Sequence, residues 1–513
     1  MDMMLIHPPL SKPCEPPAGL ARLSGALKAC GRQCLVVDAN LEGLLFLMAG
    51  SVRDDDTWTR RAWKNLDRNL AGIRSGRVFR DIDSYTRAVG EISRVLDTAA
   101  LNRHCHLSLN NCRHDSLSPL RSADLLRSAG HPESNDFYPY FEKRLKTLLE
   151  DHVPRVVGFS LNYLSQALTC FAMIGHMRSL DPGMKIILGG GLVTSWLKRP
   201  GWNDPFSGLV DELVAGPGEE RLLELAGTES SGEDCLPDYD FFIDHAYLSP
   251  GFVLPFSAST GCYWSRCSFC PERAEGNRYS CIQPQSVPRQ VRDLSASYSP
   301  CLVHFLDNAM SPALLTAIAE QGLTRPWYGF ARFTAHLSDP DFCQALKRSG
   351  CTMLQLGLES GDQGVLDSLE KGITLEDASR ALKHLHRAGI GTYVYLLFGT
   401  PAEDEDSARK TLRLTAGHAG CIDFLNLSVF NLPRGGDEAA GLDTYDFFDG
   451  DLSLYQGFRH PKGWDRSRVR QFLDKEFRRH PAIAAILRND PPFFTSNHAP
   501  FFVGGNTFSA GNS

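Results

Sequence analysis

Long apolar runs are missing from this 513-residue chain: no stretch of about 18 apolar residues occurs, so no membrane-spanning helix is expected. The opening residues, MDMMLIHPPL, lack a basic stretch followed by a long apolar one, so no secretory signal peptide is expected either. A positive balance is missing too. The net charge is −7, which gives a nucleic-acid backbone nothing to attract it. Cysteine is sparse for a disulfide scaffold, at 15 residues in the whole chain, and a reducing cytoplasm is the expected compartment. What remains is the composition of a soluble globular protein, 42% hydrophobic and 22% charged, at a length that implies two or three domains.

One local absence is more informative. In Ser257 to Ala274 (SASTGCYWSRCSFCPERA) three cysteines fall within nine residues, Cys262, Cys267 and Cys270, with no fourth close by. Thiolates packed this closely repel one another and oxidise unless a soft metal neutralises them, which points to zinc, copper(I) or an iron–sulfur cluster. A closed zinc site or an ordinary four-iron cluster takes four protein ligands. Three would leave one iron open to a substrate or cofactor. The alternative is a plant-type ferredoxin, whose spacing is four residues and then two with a distant fourth cysteine, a part open to Cys301.

The rest of the chain alternates strands and helices. Met3–His7, Gln33–Asp38, Arg155–Asn162, Lys185–Gly191 and Glu212–Glu219 read as strands, with a helix over Ala18–Cys30, and this order predicts a parallel sheet. A charged helical insert over about 50–150 interrupts it. Its His104, Cys105, Cys112 and His114 have spacings that fit no common zinc site. Polar residues over 228–250 read as a linker. Strands are then predicted at Phe256–Thr260, Leu302–Leu306, Trp327–Phe333, Met353–Leu358, Ile390–Phe398 and Ile422–Phe430, with a helix over Gln285–Leu294. Six strands in about 175 residues argue for a partial (β/α) barrel with chemistry at the strand carboxyl ends. The expected organisation is therefore α/β: a Rossmann-like domain over 1–227, the linker, a partial (β/α)6 barrel over 251–436, and a mostly helical region over 437–513. In that last region the basic helix Arg466–Arg479 reads as a solvated face and His498 as packing or the wall of a substrate cavity.

The cysteine triplet, GLESG at 357–361 followed by KGIT at 371–374, and FGTPAED at 398–404 together resemble the radical SAM superfamily, and the strand ends of the first domain (the opening Pro-Pro, GFS, LGGG, AGPGE) resemble its cobalamin-binding subgroup. The usual cysteine spacing there is three residues and then two. This chain has one more residue in the first gap, and a loop bulge at Tyr263–Trp264 is expected. The resemblance covers about residues 1–45, 150–225 and 250–435. It implies that Cys262, Cys267 and Cys270 hold a [4Fe–4S] cluster, with S-adenosylmethionine on its open iron. It places Phe269, Arg332, Glu359, Ser360, Gly399 and Pro401 around S-adenosylmethionine, and Ser160, Gly189, Gly190 and Glu219 near a cobalamin between the domains. The family's cobalt-ligating motif, Asp-x-His-x-x-Gly, has asparagine for histidine in Asp38–Gly43.

The implied activity is a 5′-deoxyadenosyl radical used for cobalamin-dependent methylation of an unactivated carbon in a small molecule or peptide, fed by a donor such as flavodoxin or ferredoxin. Radical rearrangement, cyclisation or peptide modification without cobalamin is the alternative. A non-catalytic iron–sulfur protein for electron transfer or redox sensing would leave GLESG and FGTP without a purpose.

Overall fold

The computed structural model describes residues 3–51, 56–100, 104–228, 235–492 and 498–503; residues 229–234 of the linker and 493–497 of the closing aromatic run lie outside the described residues. Two compact units form, Met1–Gly251 with Phe448–Leu454 and Phe252–Phe447 with Tyr455–Ser513. No helix among the described residues is long and apolar enough to cross a membrane.

The first unit is built on β1 (Met3–Ile6), β2 (Leu35–Val37), a hairpin of β3 (Cys105–Leu107) and β4 (Cys112–His114), then β5 (Val156–Ser160), β6 (Lys185–Gly189) and β7 (Glu212–Leu213). The sheet order is β2-β1-β5-β6-β7, and every neighbouring pair is parallel. All four residues of β1 are buried, as expected of a strand with helices on both faces. The order reverses between β1 and β5. In open α/β sheets ligands bind at the carboxyl ends beside such a reversal.

The insert supplies helices Thr57–Arg74, Ile82–Ala99, Ser122–Gly130 and Tyr138–His152. Asp56 and Asp81 cap the first two, accepting backbone N–H bonds from Thr59 and from Asp83 and Ser84. The β3–β4 hairpin is an addition to the expected helical insert. Phe448–Leu454 returns to this unit, where the Leu452 N–H donates to the Leu120 carbonyl at 2.9 Å.

The second unit opens with β8 (Val253–Phe256), followed by the short antiparallel pair β9 (Ser259–Thr260) and β10 (Ser280–Cys281). Then come β11 (Leu302–Phe305), β12 (Trp327–Ala331), β13 (Cys351–Glu359), β14 (Gly391–Phe398) and β15 (Phe424–Val429), most separated by helices. The large sheet is parallel throughout in the order β15-β14-β13-β12-β11-β8, so each strand lies beside its predecessor as in an opened (β/α) barrel. Near the strand starts, Val253, Leu302, Tyr328, Met353, Tyr393 and Phe424 form one packed layer. That layer fixes the strands, so the residues at their other ends are presented on a rigid rim. In the tail, β16 (Leu432–Pro433) and β17 (Thr444–Tyr445) pair with β18 (Tyr455–Phe458), and helices Arg466–Phe472 and Pro481–Arg488 follow.

Candidate functional site

The cysteine loop leaves the rim after β8 and β9. Gly261 starts it at φ +70°, and a Cβ there would come within 2.6 Å of the Arg278 carbonyl, so the turn accepts only glycine. Cys267 is buried and Cys262 and Cys270 are half-buried. The Cys270 N–H donates to the Cys267 carbonyl at 3.2 Å, and the short helix Pro271–Ala274 starts directly from Cys270. The left-handed residue of the loop is Ser265, at φ +47°, next to the expected bulge at Tyr263–Trp264. Trp264 anchors it: its indole N–H donates to the Glu370 carbonyl at 2.9 Å, and its ring lies where a side chain on Gly372 would otherwise stand. The Arg332 and Arg266 guanidiniums sit 4.5 and 5.2 Å from that ring.

The ends of β12, β13 and β14 bring charge to this loop. Arg332, buried just past β12, places Nη1 at 3.5 Å from the Cys267 sulfur and donates through Nη2 to the Lys371 carbonyl. Between Gly357 and Glu359 the pairing of β13 with β14 slips by one residue, and Glu359 lies at φ +65°. A bulge at a barrel rim re-aims a side chain, and a non-glycine residue held left-handed costs of order 1–3 kcal/mol. Here it aims the Glu359 carboxylate at Lys371, 2.8 Å away, with both side chains nearly buried. Gly357 makes the room, because a Cβ there would approach Glu359 Oε1 to 2.4 Å. The Lys371 ammonium also lies 5.6 Å from the Phe269 ring. One cluster therefore joins Phe269, Arg332, Glu359, Lys371 and the Cys267 sulfur.

The remaining rim residues shape turns. Ser360 is fully buried, and its Oγ accepts the Asp362 N–H at 3.1 Å. Gly399, at φ +80°, donates its N–H to Glu403 Oε2 at 2.5 Å, and the Trp464 indole donates to the same oxygen at 2.9 Å. Pro401 follows in the same turn. Asp307, at the end of β11, accepts from the Ala258 N–H at 3.1 Å and from the Ser259 hydroxyl, so its partners are those groups.

Burial dominates the electrostatics. It pushes the Cys270 thiol up to about 11, raises the Asp307 carboxyl and brings Glu403 up to about 7. A thiol so placed is protonated at neutral pH, and a bound soft metal reverses that preference. Among the described residues no three His, Cys, Asp or Glu side chains gather closely enough to hold a single ion. Neither the cysteine loop nor the β3–β4 hairpin is therefore arranged as a closed zinc site. In the hairpin, the Cys105 and Cys112 sulfurs lie 3.4 Å apart, and His114 Nδ1 accepts backbone N–H groups from Ser116 and Leu117. Cys301 stands at the other end of the sheet, immediately before β11, with its N–H on the Phe252 carbonyl and its side chain against the layer of strand starts. About 13 Å of strand separates that end from the rim. His498 is buried against Tyr393 and Phe424, ring centroids 4.2 and 4.6 Å away, at the same starting end.

The first unit's carboxyl edge is of another kind. The Ser160 hydroxyl accepts from the Asn162 amide at 3.1 Å. Gly189 and Gly190 are half-exposed at the end of β6, and Gly190 lies at φ +110°, where a Cβ would come within 2.4 Å of the Leu161 carbonyl. Glu219 pairs with Arg22 at 2.7 Å. Asn40 accepts the Ser11 N–H at 2.8 Å, and Asp38 caps the next helix while accepting from the Tyr247 hydroxyl at 2.7 Å. His7, at the end of β1, is buried with Nε2 at 2.9 Å from the Ser11 hydroxyl.

Residues 256–415 match the family model of the radical SAM superfamily. The chain's relatives include an uncharacterized methyltransferase of Pyrococcus horikoshii, 26% identical over 303 residues that are 51% of this chain and 63% of that protein. The bacteriochlorophyllide d C-12(1)-methyltransferase of Chlorobaculum tepidum is 24% identical over 191 residues, 34% of this chain and 40% of the relative. The chain thus spans less than two thirds of either relative's length. Among solved structures, the radical S-adenosylmethionine methyltransferase TsrM of Kitasatospora setae, with tryptophan and a SAM analog bound, is similar at TM-score 0.52 and 18% identity, covering 87% of this chain and 79% of TsrM. The cobalamin-dependent S-adenosylmethionine radical enzyme OxsB, with aqua-cobalamin and S-adenosylmethionine bound, reaches TM-score 0.52 at 12% identity, covering 82% of this chain and 52% of OxsB. At such identities the likeness is one of fold: an α/β chain with a Rossmann-like unit and a radical SAM barrel.

Proposed function

We propose that the chain is a radical SAM methyltransferase. In this reading Cys262, Cys267 and Cys270 hold a [4Fe–4S] cluster, S-adenosylmethionine lies on the rim of the second unit, and the carboxyl edge of the first unit takes cobalamin. The observation that carries it is Arg332, which meets the Cys267 sulfur and the Lys371 carbonyl, beside the buried Lys371–Glu359 pair and the re-aimed backbone of Glu359.

The donor set fits the cluster. Three thiolates bring negative charge into a partly desolvated loop, and Arg332, at 3.5 Å from one sulfur, offsets it. Glu359 has the chemistry to accept from an ammonium or ribose hydroxyls, and Arg332 and Lys371 that to receive a carboxylate. In this reading the Phe269 backbone would meet the adenine, and Gly399 and Pro401 would shape the turn near it. Trp264 closes the loop against Gly372 and the Glu370 carbonyl. Ser360 acts through the turn that follows Glu359. When bound, the cluster and S-adenosylmethionine supply a 5′-deoxyadenosyl radical and cobalamin supplies a transferable methyl group.

Ser160, Gly189 and Gly190 fit a large polar ligand through bare backbone and one hydroxyl; Glu219, paired with Arg22, sets the helix behind them. No histidine stands in the Asp38–Gly43 segment, so it offers cobalt no imidazole. The substrate is a small molecule or peptide with an unactivated carbon, and a reduced flavodoxin or ferredoxin supplies electrons. The occupation of Asp38, Asn40 and Glu219 by protein partners favours one second reading, radical rearrangement, cyclisation or peptide modification without cobalamin. Anaerobic reconstitution with hydroxocobalamin separates the two: retained corrinoid supports methyl transfer, and 5′-deoxyadenosine formed without retained corrinoid supports the other.

A further inference from the structure

The helical insert contains a cavity of about 430 Å³ that the chemistry above does not use. It lies between helices Thr57–Arg74 and Ile82–Ala99, with the Arg77–Arg80 turn at one side. Arg61 and Arg68 stand seven residues apart on the first helix, two turns on the same face. Arg87 faces them from the second helix and Arg77 comes from the turn, so four guanidiniums line one concavity.

The floor is already neutral. Glu91, 3% exposed, accepts from Arg61 Nε at 2.9 Å, from the Asn65 amide at 3.0 Å and from the Asn69 amide at 2.7 Å. This carboxylate is saturated and offsets Arg61 alone. Arg87 donates to the Ser84 hydroxyl at 3.3 Å and feels Asp81, whose own oxygens accept from the helix start. Arg68 and Arg77 have no carboxylate within ion-pair reach among the described residues, and Arg77 lies along the side-chain-free surface of Gly72. Like charges around a concavity repel unless an anion joins them. Guanidinium forks match phosphate oxygens two at a time, and about 430 Å³ is the size of a small organic ligand's pocket. Val78 and Ala88 add a small apolar wall for the uncharged part of such a ligand.

We propose that this cavity binds a small phosphorylated organic anion, its phosphate held by Arg68, Arg77 and Arg87 above the Glu91 floor. The test is calorimetric titration of the full chain with inorganic pyrophosphate at fixed ionic strength, with citrate as the carboxylate arm. One pyrophosphate is expected per chain. In R68A/R77A its affinity is expected to fall on the order of 100-fold, with the ligand-free unfolding temperature not lowered, because both side chains are exposed and their mutual repulsion is removed. R68K/R77K keeps charge without the forks and is expected to lose roughly tenfold. Absence of binding, equal binding in wild type and both variants, or citrate bound more tightly than pyrophosphate would overturn the proposal.

Discussion

The chain contains two parallel sheets, and their carboxyl edges differ. The second unit's rim is charged and strained: a left-handed glutamate, a buried lysine and a buried arginine beside a cysteine loop. The first unit's edge is bare and relaxed, with glycines, one serine hydroxyl and acidic groups already paired or capping helices. In α/β sheets ligands meet the strand carboxyl ends, and both edges are of that kind. The difference lies in what each edge must hold. A rim that binds charged groups next to thiolates needs fixed counter-charges, and it stores strain to aim them. An edge that receives a large ligand needs open backbone.

Mutations sharpen this contrast. The largest effect is expected for Cys267→Ser, which should remove bound iron and all 5′-deoxyadenosine formation, while Cys301→Ser, at the other end of the sheet, keeps both; iron analysis and chromatography check this. Glu359→Gln comes next. It leaves Lys371 buried and unpaired, a loss of about 3–5 kcal/mol in stability, and should weaken S-adenosylmethionine binding on the order of 100-fold. Denaturant titration and equilibrium dialysis measure the two effects separately.

Glu403 gives the rim a pH signature. Its folded pKa, near 7, lies above the ordinary glutamate value, so its stabilising contribution is complete below about pH 4.5 and is lost as pH rises to about 7. The loss is about 3 kcal/mol, and Glu403→Gln should flatten that part of the stability curve measured by urea midpoints from pH 4.5 to 8. At the other edge, Gly190→Ala forces a Cβ against the Leu161 carbonyl in a left-handed backbone and should cost about 1–3 kcal/mol. Corrinoid retention should drop while bound iron stays unchanged. The smallest effect belongs to Glu219→Gln. Its pair with Arg22 is partly exposed, so corrinoid retention should stay within about twofold.

The strands were readable because parallel strands covered on both faces are almost continuously apolar, as in β1 (MMLI) and the IIL of β6. The parallel character of both sheets followed from strand and helix alternation, and the motif residues marked the rim. What was not readable depends on three dimensions. The bulge at Glu359, its pairing with a lysine twelve residues later, and the seat of Trp264 on Gly372 are relations that no local spacing encodes. Glycine in KGIT was the available sign of the last. Glu403 carried only its place after FGTP, and its burial under Trp464 arises from the tail. The β3–β4 hairpin escaped because its strands have three residues each, too few to show an alternation. The arginine-lined cavity escaped because Arg61, Arg68, Arg77 and Arg87 come from two helices and a turn, and no local spacing brings them together.

The central claim is that the charged rim and the three-cysteine loop work together on S-adenosylmethionine. Anaerobically reconstituted protein, reduced with dithionite and incubated with S-adenosylmethionine, tests it most directly. Formation of 5′-deoxyadenosine, lost in Cys267→Ser and strongly reduced in Glu359→Gln, is the expected result. An intact cluster that yields no 5′-deoxyadenosine under these conditions would contradict the account and leave an iron–sulfur protein without radical chemistry.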